Sequence, residues 1–226
     1  GGGEKAIDAG GRIVMAGGRG GKDGIHGATF SSVEIDEHSP QSAVQIGSPI
    51  TQKLLSDFLE RACRAGLVKC STDNGAGGLS SSIGELAQVS GGAVVNLERV
   101  PLKYAGLRPW EIFVSESQER MSLVVEPAQS DALFRMAHEM EVELSDIGHF
   151  TADGVLDVRY QGRKIAYLDL TFLHDGVPRK TLFAEWNAPD LREPNLPESL
   201  DYTDALRKLL GSLNICSRES VIRQYD

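Results

Sequence analysis

The 226-residue sequence has no run of about 18 apolar residues, the length that a membrane-spanning helix needs. It also has no charged segment followed by an apolar one at its start, which argues against a secretory signal. Basic residues are outnumbered, 23 against 32 acidic ones, so that the net charge is −9. Because nucleic-acid phosphates are bound by basic surfaces, this charge disfavours a general nucleic-acid binder. We therefore expect neither a membrane nor a nucleic acid as a partner.

Cysteine is scarce. Cys63, Cys70 and Cys216 are odd in number and far apart, which argues against a disulfide framework and against a zinc site. This usage is typical of a reducing compartment, so we expect a cytoplasmic protein. The chain opens with three glycines rather than a methionine, and no clear stop signal precedes its end. We expect a piece of a longer polypeptide, whose activity needs parts outside this sequence.

The order of apolar patterns predicts an α/β (α+β) fold, a sheet flanked by helices. Ser48 and Pro49 are typical of a helix start and Gly66 of a helix end. Gln161-Gly162 predicts a hairpin turn, and four prolines between 178 and 197 predict a strap. We expect an α/β domain over 1–177 and a proline-rich strap with a helical linker over 178–226. Strands are predicted at 11–16, 67–70, 93–100, 155–160 and 164–173, and helices at 49–66, 82–89, 130–143 and 200–210.

A glycine-rich loop follows the first strand, from Gly17 to Gly27. Glycines allow a backbone to approach an anion closely, and successive amides can cradle a phosphate. Neither common phosphate motif fits, because one needs Ser or Thr and the other needs Gly where the chain has Asp23. Gly24, His26 and Gly27 are candidates for a phosphate loop of another kind. A flexible surface loop, with His26 in a structural role, is the alternative.

A second small-residue loop, DNGAGGLSSS, begins at Asp73 after a short strand. A single carboxylate before a glycine loop and a helix suits Mg²⁺ that is held jointly with substrate phosphates, since Mg²⁺ keeps several waters and takes few protein ligands. The alternative is that Asp73 only caps a turn.

A third segment, SESQER, runs from Ser115 to Arg120 between two apolar runs. Its serines and Gln118 offer donors and acceptors, and Arg120 offers a cation, so the segment could recognise a hydroxylated and phosphorylated ligand. The alternative is a solvated turn in which Glu119 and Arg120 face water.

These segments in this order resemble formylglycinamide ribonucleotide amidotransferase (phosphoribosylformylglycinamidine synthase), the purine-pathway ligase of the aminoimidazole ribonucleotide synthetase superfamily. The resemblance spans nearly the whole chain. Its matching stretches are GGRGGKDGIHGATFSS from Gly17, VQIGSP from Val44, DNGAGGLSS from Asp73, SESQERM from Ser115 and SRESVIRQYD from Ser217.

The resemblance implies the C-terminal subdomain of the first of two similar halves, with a mixed sheet of partly ferredoxin-like topology. It implies a ligase that uses ATP, Mg²⁺ and glutamine-derived ammonia on a ribonucleotide, with a glutaminase domain or subunit as partner. Gln45, Glu116, Ser117 and Gln118 match substrate-binding positions, and Asp73 matches a Mg²⁺ ligand. No residue of this chain matches a catalytic one, because the catalytic histidine, an ATP-contacting lysine and further Mg²⁺ ligands belong to the N-terminal subdomain. The isolated chain is therefore expected to be inactive.

The sequence departs from the family pattern at Asn74, where many members have a bulkier apolar residue, and at Ser48, where many have Asp. Two other readings stay open. Another enzyme of the same superfamily, a small-molecule kinase or a selenophosphate-type synthetase, is expected to lack the segment 115–120. A binding or scaffolding module would use Asp73 and Gln45 only for structure.

Overall fold

The structure is a computed structural model that describes residues 6–25, 47–193, 195, 198 and 201–224. The chain divides into two compact units, residues 1–179 and 180–226. Among the described helices, none has both the length and the apolar character that crossing a membrane requires. The strands are β1 Arg12–Gly17, β2 Cys70–Asp73, β3 Ala93–Asn96, β4 Arg120–Val125, β5 Leu144–Phe150, β6 Val155–Tyr160 and β7 Arg163–Asp169. The helices are α1 Pro49–Arg64, α2 Gly78–Ser90, α3 Pro109–Val114, α4 Ser130–Glu139, α5 Leu170–Asp175, α6 Thr203–Leu210 and α7 Glu219–Ile222.

The described strands form one mixed sheet in the order β2-β4-β1-β5-β3-β6-β7. Neighbouring strands are antiparallel except β3 and β6, which are parallel. The unit β4-α4-β5 places its two strands on either side of β1. This split β-α-β arrangement is the building block of ferredoxin-like folds. The expected mixed sheet with flanking helices and partly ferredoxin-like topology is confirmed.

Strand β1 is apolar and buried from Ile13 to Ala16, where helices cover both faces of the sheet. Ile13 and Met15 belong to one buried cluster, which includes Leu79 and Ile83 of α2. Val14 and Ala16 belong to the other, in which α1 and α4 pack on the sheet. A strand buried on both faces gives a continuous apolar run instead of an alternating pattern. The buried sheet therefore fixes the positions of its strand ends. The glycine-rich loop follows β1, the loop that begins at Asp73 follows β2, and the segment 115–120 leads into β4.

Several boundaries differ from the sequence-based prediction. The strand predicted at 67–70 lies at Cys70–Asp73, and the strand predicted at 93–100 ends at Asn96. The strand predicted at 164–173 ends at Asp169, whose carboxylate accepts a hydrogen bond from the Phe172 N–H and so caps α5. Strand β5 was not predicted at all. It lies between β1 and β3, so its stability comes from distant pairing.

Candidate functional site

Two of the three segments singled out in the sequence, the loop that begins at Asp73 and the segment 115–120, line one cavity of about 390 Å³. The cavity lies between α1, the loop that begins at Asp73, and the end of the segment 115–120. Three of the predicted site residues line it together: Asp73, Ser117 and Gln118. They converge because β2 and β4 are antiparallel neighbours, with Asp73 paired to Met121. The C-terminal end of β2 therefore lies beside the N-terminal end of β4.

The start of the glycine-rich loop lies against the segment 115–120. The Gly18 N–H donates to the carbonyl oxygen of Glu119 at 2.8 Å, and the Gly21 N–H donates to Ser117 Oγ at 2.8 Å. In return, the Glu116 N–H donates to the carbonyl oxygen of Asp23 at 2.8 Å. Gly24, the first candidate of the phosphate loop, is the next residue after Asp23 and is buried. The other two candidates, His26 and Gly27, lie outside the described residues, as does Gln45.

Gly17 permits this close approach. Its φ is +100°, and a Cβ atom at this position would overlap the carbonyl oxygen of Glu119 and press on Leu55 of α1. Only glycine fits a left-handed backbone with another chain segment in this position. The glycine at the start of the loop is thus required by packing, independently of any ligand.

Ser117 is buried and its hydroxyl is engaged. It accepts from the Gly21 N–H and donates to the carboxylate of Asp23. The Asp23 carboxylate also pairs with Lys103 Nζ at 2.7 Å. Burial by itself would raise the pKa of Asp23. The hydrogen bonds from Lys103 and Ser117, with the positive charges of Lys103 and Arg120, outweigh burial and hold that pKa below its ordinary value of 3.8.

Asp73 stands at the end of β2 with its side chain exposed at the cavity. One carboxylate oxygen accepts from the Gly75 N–H at 3.0 Å, a local turn contact. The next residue, Asn74, is buried, and its Oδ1 accepts from the hydroxyls of Ser82 at 2.5 Å and Ser122 at 2.7 Å. This polar cluster lies directly behind the exposed carboxylate. It joins the Asp73 loop to α2 and to β4.

Glu116 connects the segment 115–120 to α2. Its Oε1 accepts from the backbone N–H of Gly77 at 2.9 Å. Gly77 is the N-cap of α2 and has no side chain with which to cap it. A helix N-terminus carries unpaired N–H groups and favours a negative charge, and Glu116 supplies both the acceptor and the charge.

Arg120 is almost fully buried, at 3% exposure, so the alternative in which it faces water is wrong. Its guanidinium donates to the carbonyl oxygen of Ser117 at 2.8 Å and to that of Ser115. Burial lowers its pKa to about 10, while the nearby charge of Asp23 acts to raise it. Arg120 therefore fixes the backbone of the segment 115–120 through these two carbonyl contacts. Its Nη1 has no hydrogen-bond partner among the described residues.

Gln118 is the one exposed residue of the segment 115–120, and it lines the cavity with Asp73. Within the described ranges, no group of three or more histidines, cysteines or carboxylates is placed to hold a metal ion. Asp73 could therefore contribute a single ligand to a metal ion. Sequence reasoning missed Lys103 and the role of Asp23, since their pairing spans 80 residues of chain.

Residues 8–161 match the family described as AIR synthase related protein, C-terminal domain. The chain belongs to this family. The chain is 40% identical over 223 residues to phosphoribosylformylglycinamidine synthase subunit PurL of Methanopyrus kandleri, and 35% identical over 226 residues to the same subunit of Thermoplasma acidophilum. These alignments cover 95% and 98% of this chain but 30% of each relative. The chain spans about 30% of the length of these curated relatives.

Solved structures of PurL proteins are similar to this chain as well. Thermotoga maritima PurL complexed with FGAR aligns with a TM-score of 0.73 at 31% identity, over 86% of this chain and 32% of that chain. The same protein complexed with ATP aligns at 0.68 and 26%, over 91% and 32%. E. coli HypE, a hydrogenase maturation protein, aligns at 0.53 and 19% over 74% of this chain and 52% of its own, which shows a shared fold alone.

Proposed function

We propose that this chain supplies the ribonucleotide side of the active cleft of a phosphoribosylformylglycinamidine synthase. The observation that carries the proposal is the single cavity where Asp73, Ser117 and Gln118 meet, with the glycine-rich loop held against its edge. The PurL homology supports a role in purine biosynthesis. The Thermotoga relative complexed with FGAR supports formylglycinamide ribonucleotide as the substrate.

The proposed reaction converts formylglycinamide ribonucleotide, ATP and ammonia to formylglycinamidine ribonucleotide, ADP and phosphate. The amide oxygen is phosphorylated by ATP, and ammonia then displaces phosphate, so that this oxygen leaves in the phosphate. In such a reaction the protein mainly positions the reactants and stabilises charge. Relatives complexed with ATP, ADP and AMPPCP support nucleotide binding by the longer protein.

Gln118 and the backbone of the segment 115–120 are proposed to hold the ribonucleotide, together with Gln45. Glu116 and Ser117 are proposed to act in the same site, where both already fix the backbone around Gln118. Gly24, His26 and Gly27 are proposed to form the loop over a phosphate of the ligand. No catalytic residue is assigned to this chain, which alone is expected to be inactive.

Asp73 fits a Mg²⁺ site of the open kind. It is a lone exposed carboxylate, and Mg²⁺ typically takes one or two protein carboxylates, with phosphate oxygens and waters as its other ligands. When bound, Mg²⁺ would neutralise charge on the phosphates. Asp73 would hold its side of that ion, and the hydrogen bond from Gly75 orients the carboxylate.

Ammonia is proposed to come from glutamine through a separate glutaminase domain or subunit. The similarity to PurLQS from Thermotoga maritima supports this arrangement, with a TM-score of 0.68 at 26% identity. Residues 178–226 are proposed to be a proline-rich strap and helical linker that lead toward the next half of the longer protein. Within this stretch, residues 180–193 contain no helix or strand and are exposed, which suits such a connection.

The test uses the full-length protein that contains this chain. ADP release is measured with ammonia and Mg²⁺, with and without formylglycinamide ribonucleotide. We expect release to depend on the ribonucleotide, and Gln118→Ala to raise the KM for it. Asp73→Asn should raise the Mg²⁺ concentration that gives half-maximal turnover.

Asp57→Asn is the matched control, since Asp57 pairs with Lys53 on the surface of α1 and is not a lining residue of the cavity. If the ribonucleotide makes no difference to ADP release, the proposed substrate is wrong. If Gln118→Ala and Asp73→Asn behave like the control, this domain is only structural support.

A further inference from the structure

Asp23 stands where three segments of the chain cross. Its backbone carbonyl accepts from the Glu116 N–H at 2.8 Å, and its carboxylate receives Lys103 Nζ at 2.7 Å and the hydroxyl of Ser117. The side chain is 20% exposed, so the contact with Lys103 is partly shielded from water. Asp23 thus touches both the segment 101–104 and the segment 115–120, while it belongs to the glycine-rich loop itself.

The surrounding backbone is tied in the same way. The Gly20 N–H donates to the Pro101 carbonyl at 2.9 Å, the Lys103 N–H donates to the Gly20 carbonyl at 2.8 Å, and the Lys22 N–H donates to the Tyr104 hydroxyl at 2.9 Å. Four glycines among residues 17–21 make this stretch entropically expensive to order. The ion pair of Asp23 with Lys103, just after this stretch, offsets part of the entropy cost of ordering it, because the pair holds the loop against the segment 101–104.

We propose that Asp23 is a positioning residue which latches the described part of the glycine-rich loop onto Ser117 and Lys103, and so sets where Gly24 stands relative to the ribonucleotide. This inference deepens the proposed function and rests on it. Asp23 does not line the cavity formed by Asp73, Ser117 and Gln118, so it acts through Ser117 and the loop backbone. The same residue is what excludes the two common phosphate motifs from this loop. Its carboxylate is used to fix the loop, where those motifs use a hydroxyl or a bare backbone.

Two readouts on the full-length protein test the latch. The first is amide hydrogen exchange of residues 17–25, which needs no substrate. The second is the split between KM for formylglycinamide ribonucleotide and kcat. The variants are Asp23→Ala, which removes the carboxylate, and Asp23→Asn, which keeps an oxygen to accept from Ser117 but removes the charge. Asp57→Ala is the control, because it also removes an aspartate paired with a lysine.

For Asp23→Ala we expect exchange over residues 17–25 to be faster by on the order of tenfold, and KM to rise by a similar factor with a much smaller change in kcat. Asp23→Asn should fall between this variant and the wild type, and Asp57→Ala should match the wild type. Unchanged exchange in Asp23→Ala overturns the latch. Exchange that quickens equally in α1 and α4 also overturns it, because Asp23 would then be a general stability residue.

If ADP release by the wild-type protein does not depend on the ribonucleotide, the proposed function is wrong. The exchange measurement can still be interpreted, because it needs no substrate. In that case faster exchange confined to residues 17–25 still supports the latch, and unchanged exchange defeats it as well. Faster exchange without a rise in KM, in a protein that does turn over the ribonucleotide, overturns the positioning role.

Discussion

The Glu116 carboxylate accepts a hydrogen bond of 2.9 Å from the Gly77 N–H, a residue 39 positions away. The contact brings a negative charge to the N-terminus of α2, where the exposed N–H groups favour it. Glu116→Gln should keep the acceptor and lose the charge, at about 0.3–1 kcal/mol of unfolding free energy. Glu116→Ala should lose both, at about 1–2 kcal/mol. Urea unfolding of the chain measures the difference, and Glu85→Gln, an exposed position within α2, should change little.

Asn74 and the hydroxyls of Ser82 and Ser122 form a buried polar cluster behind Asp73. Asn74→Leu removes the acceptor that two buried hydroxyls share, leaves them their contact with each other at 3.0 Å, and should cost about 1–3 kcal/mol. Adding Ser82→Ala and Ser122→Ala should recover part of that loss, because an all-apolar replacement leaves no unsatisfied group. The measurement is a triple-mutant cycle by urea unfolding. Strictly additive effects would contradict the cluster, and Ser56→Ala, at an exposed serine of α1, is the control.

Gly78 and Gly66 both have positive φ, +56° and +68°. A Cβ at Gly78 would overlap the carbonyl oxygen of Ser115, whereas a Cβ at Gly66 would meet open space. Gly66→Ala should therefore show only the backbone penalty, about 1–2 kcal/mol. Gly78→Ala should add an overpacking penalty of about 1–3 kcal/mol and should displace the segment that carries Glu116. Equal losses in the two variants, measured by thermal unfolding, would show that α2 does not pack against that segment as described.

The lowered pKa of Asp23 makes its contribution to stability depend on pH. Because the folded carboxyl is more acidic than its unfolded value of 3.8, the contribution is complete at pH values above that number and is lost as pH falls through the folded pKa. The stability gap between wild type and Asp23→Asn should therefore be constant near neutral pH and shrink at pH values below 3.8. Urea unfolding at a series of pH values tests this. A gap that widens on acidification would give the pKa shift the opposite sign.

Some elements were predictable because their signals are local. The Ser48-Pro49 start of α1 is confirmed by the hydrogen bond from the Thr51 N–H to Ser48 Oγ at 3.3 Å. The Gln161-Gly162 hairpin is confirmed as well, with positive φ at both residues. Helix α2 begins earlier than predicted, at Gly78, because Glu116 caps it from outside its own sequence. A distant cap leaves no trace in the local pattern.

The order of the three motifs was sufficient to indicate the family, because each motif is a contiguous stretch of residues that can be recognised without the structure. The sequence also determined the Ser48 cap of α1 and the turn at Gln161-Gly162, since both depend on neighbours within about four residues. Only the tertiary structure decided that Arg120 is buried. It also decided that the Ser117 hydroxyl binds Gly21 and Asp23, and that Lys103 pairs with the Asp23 carboxylate. These partners lie up to 96 residues apart, and only the sheet brings them together.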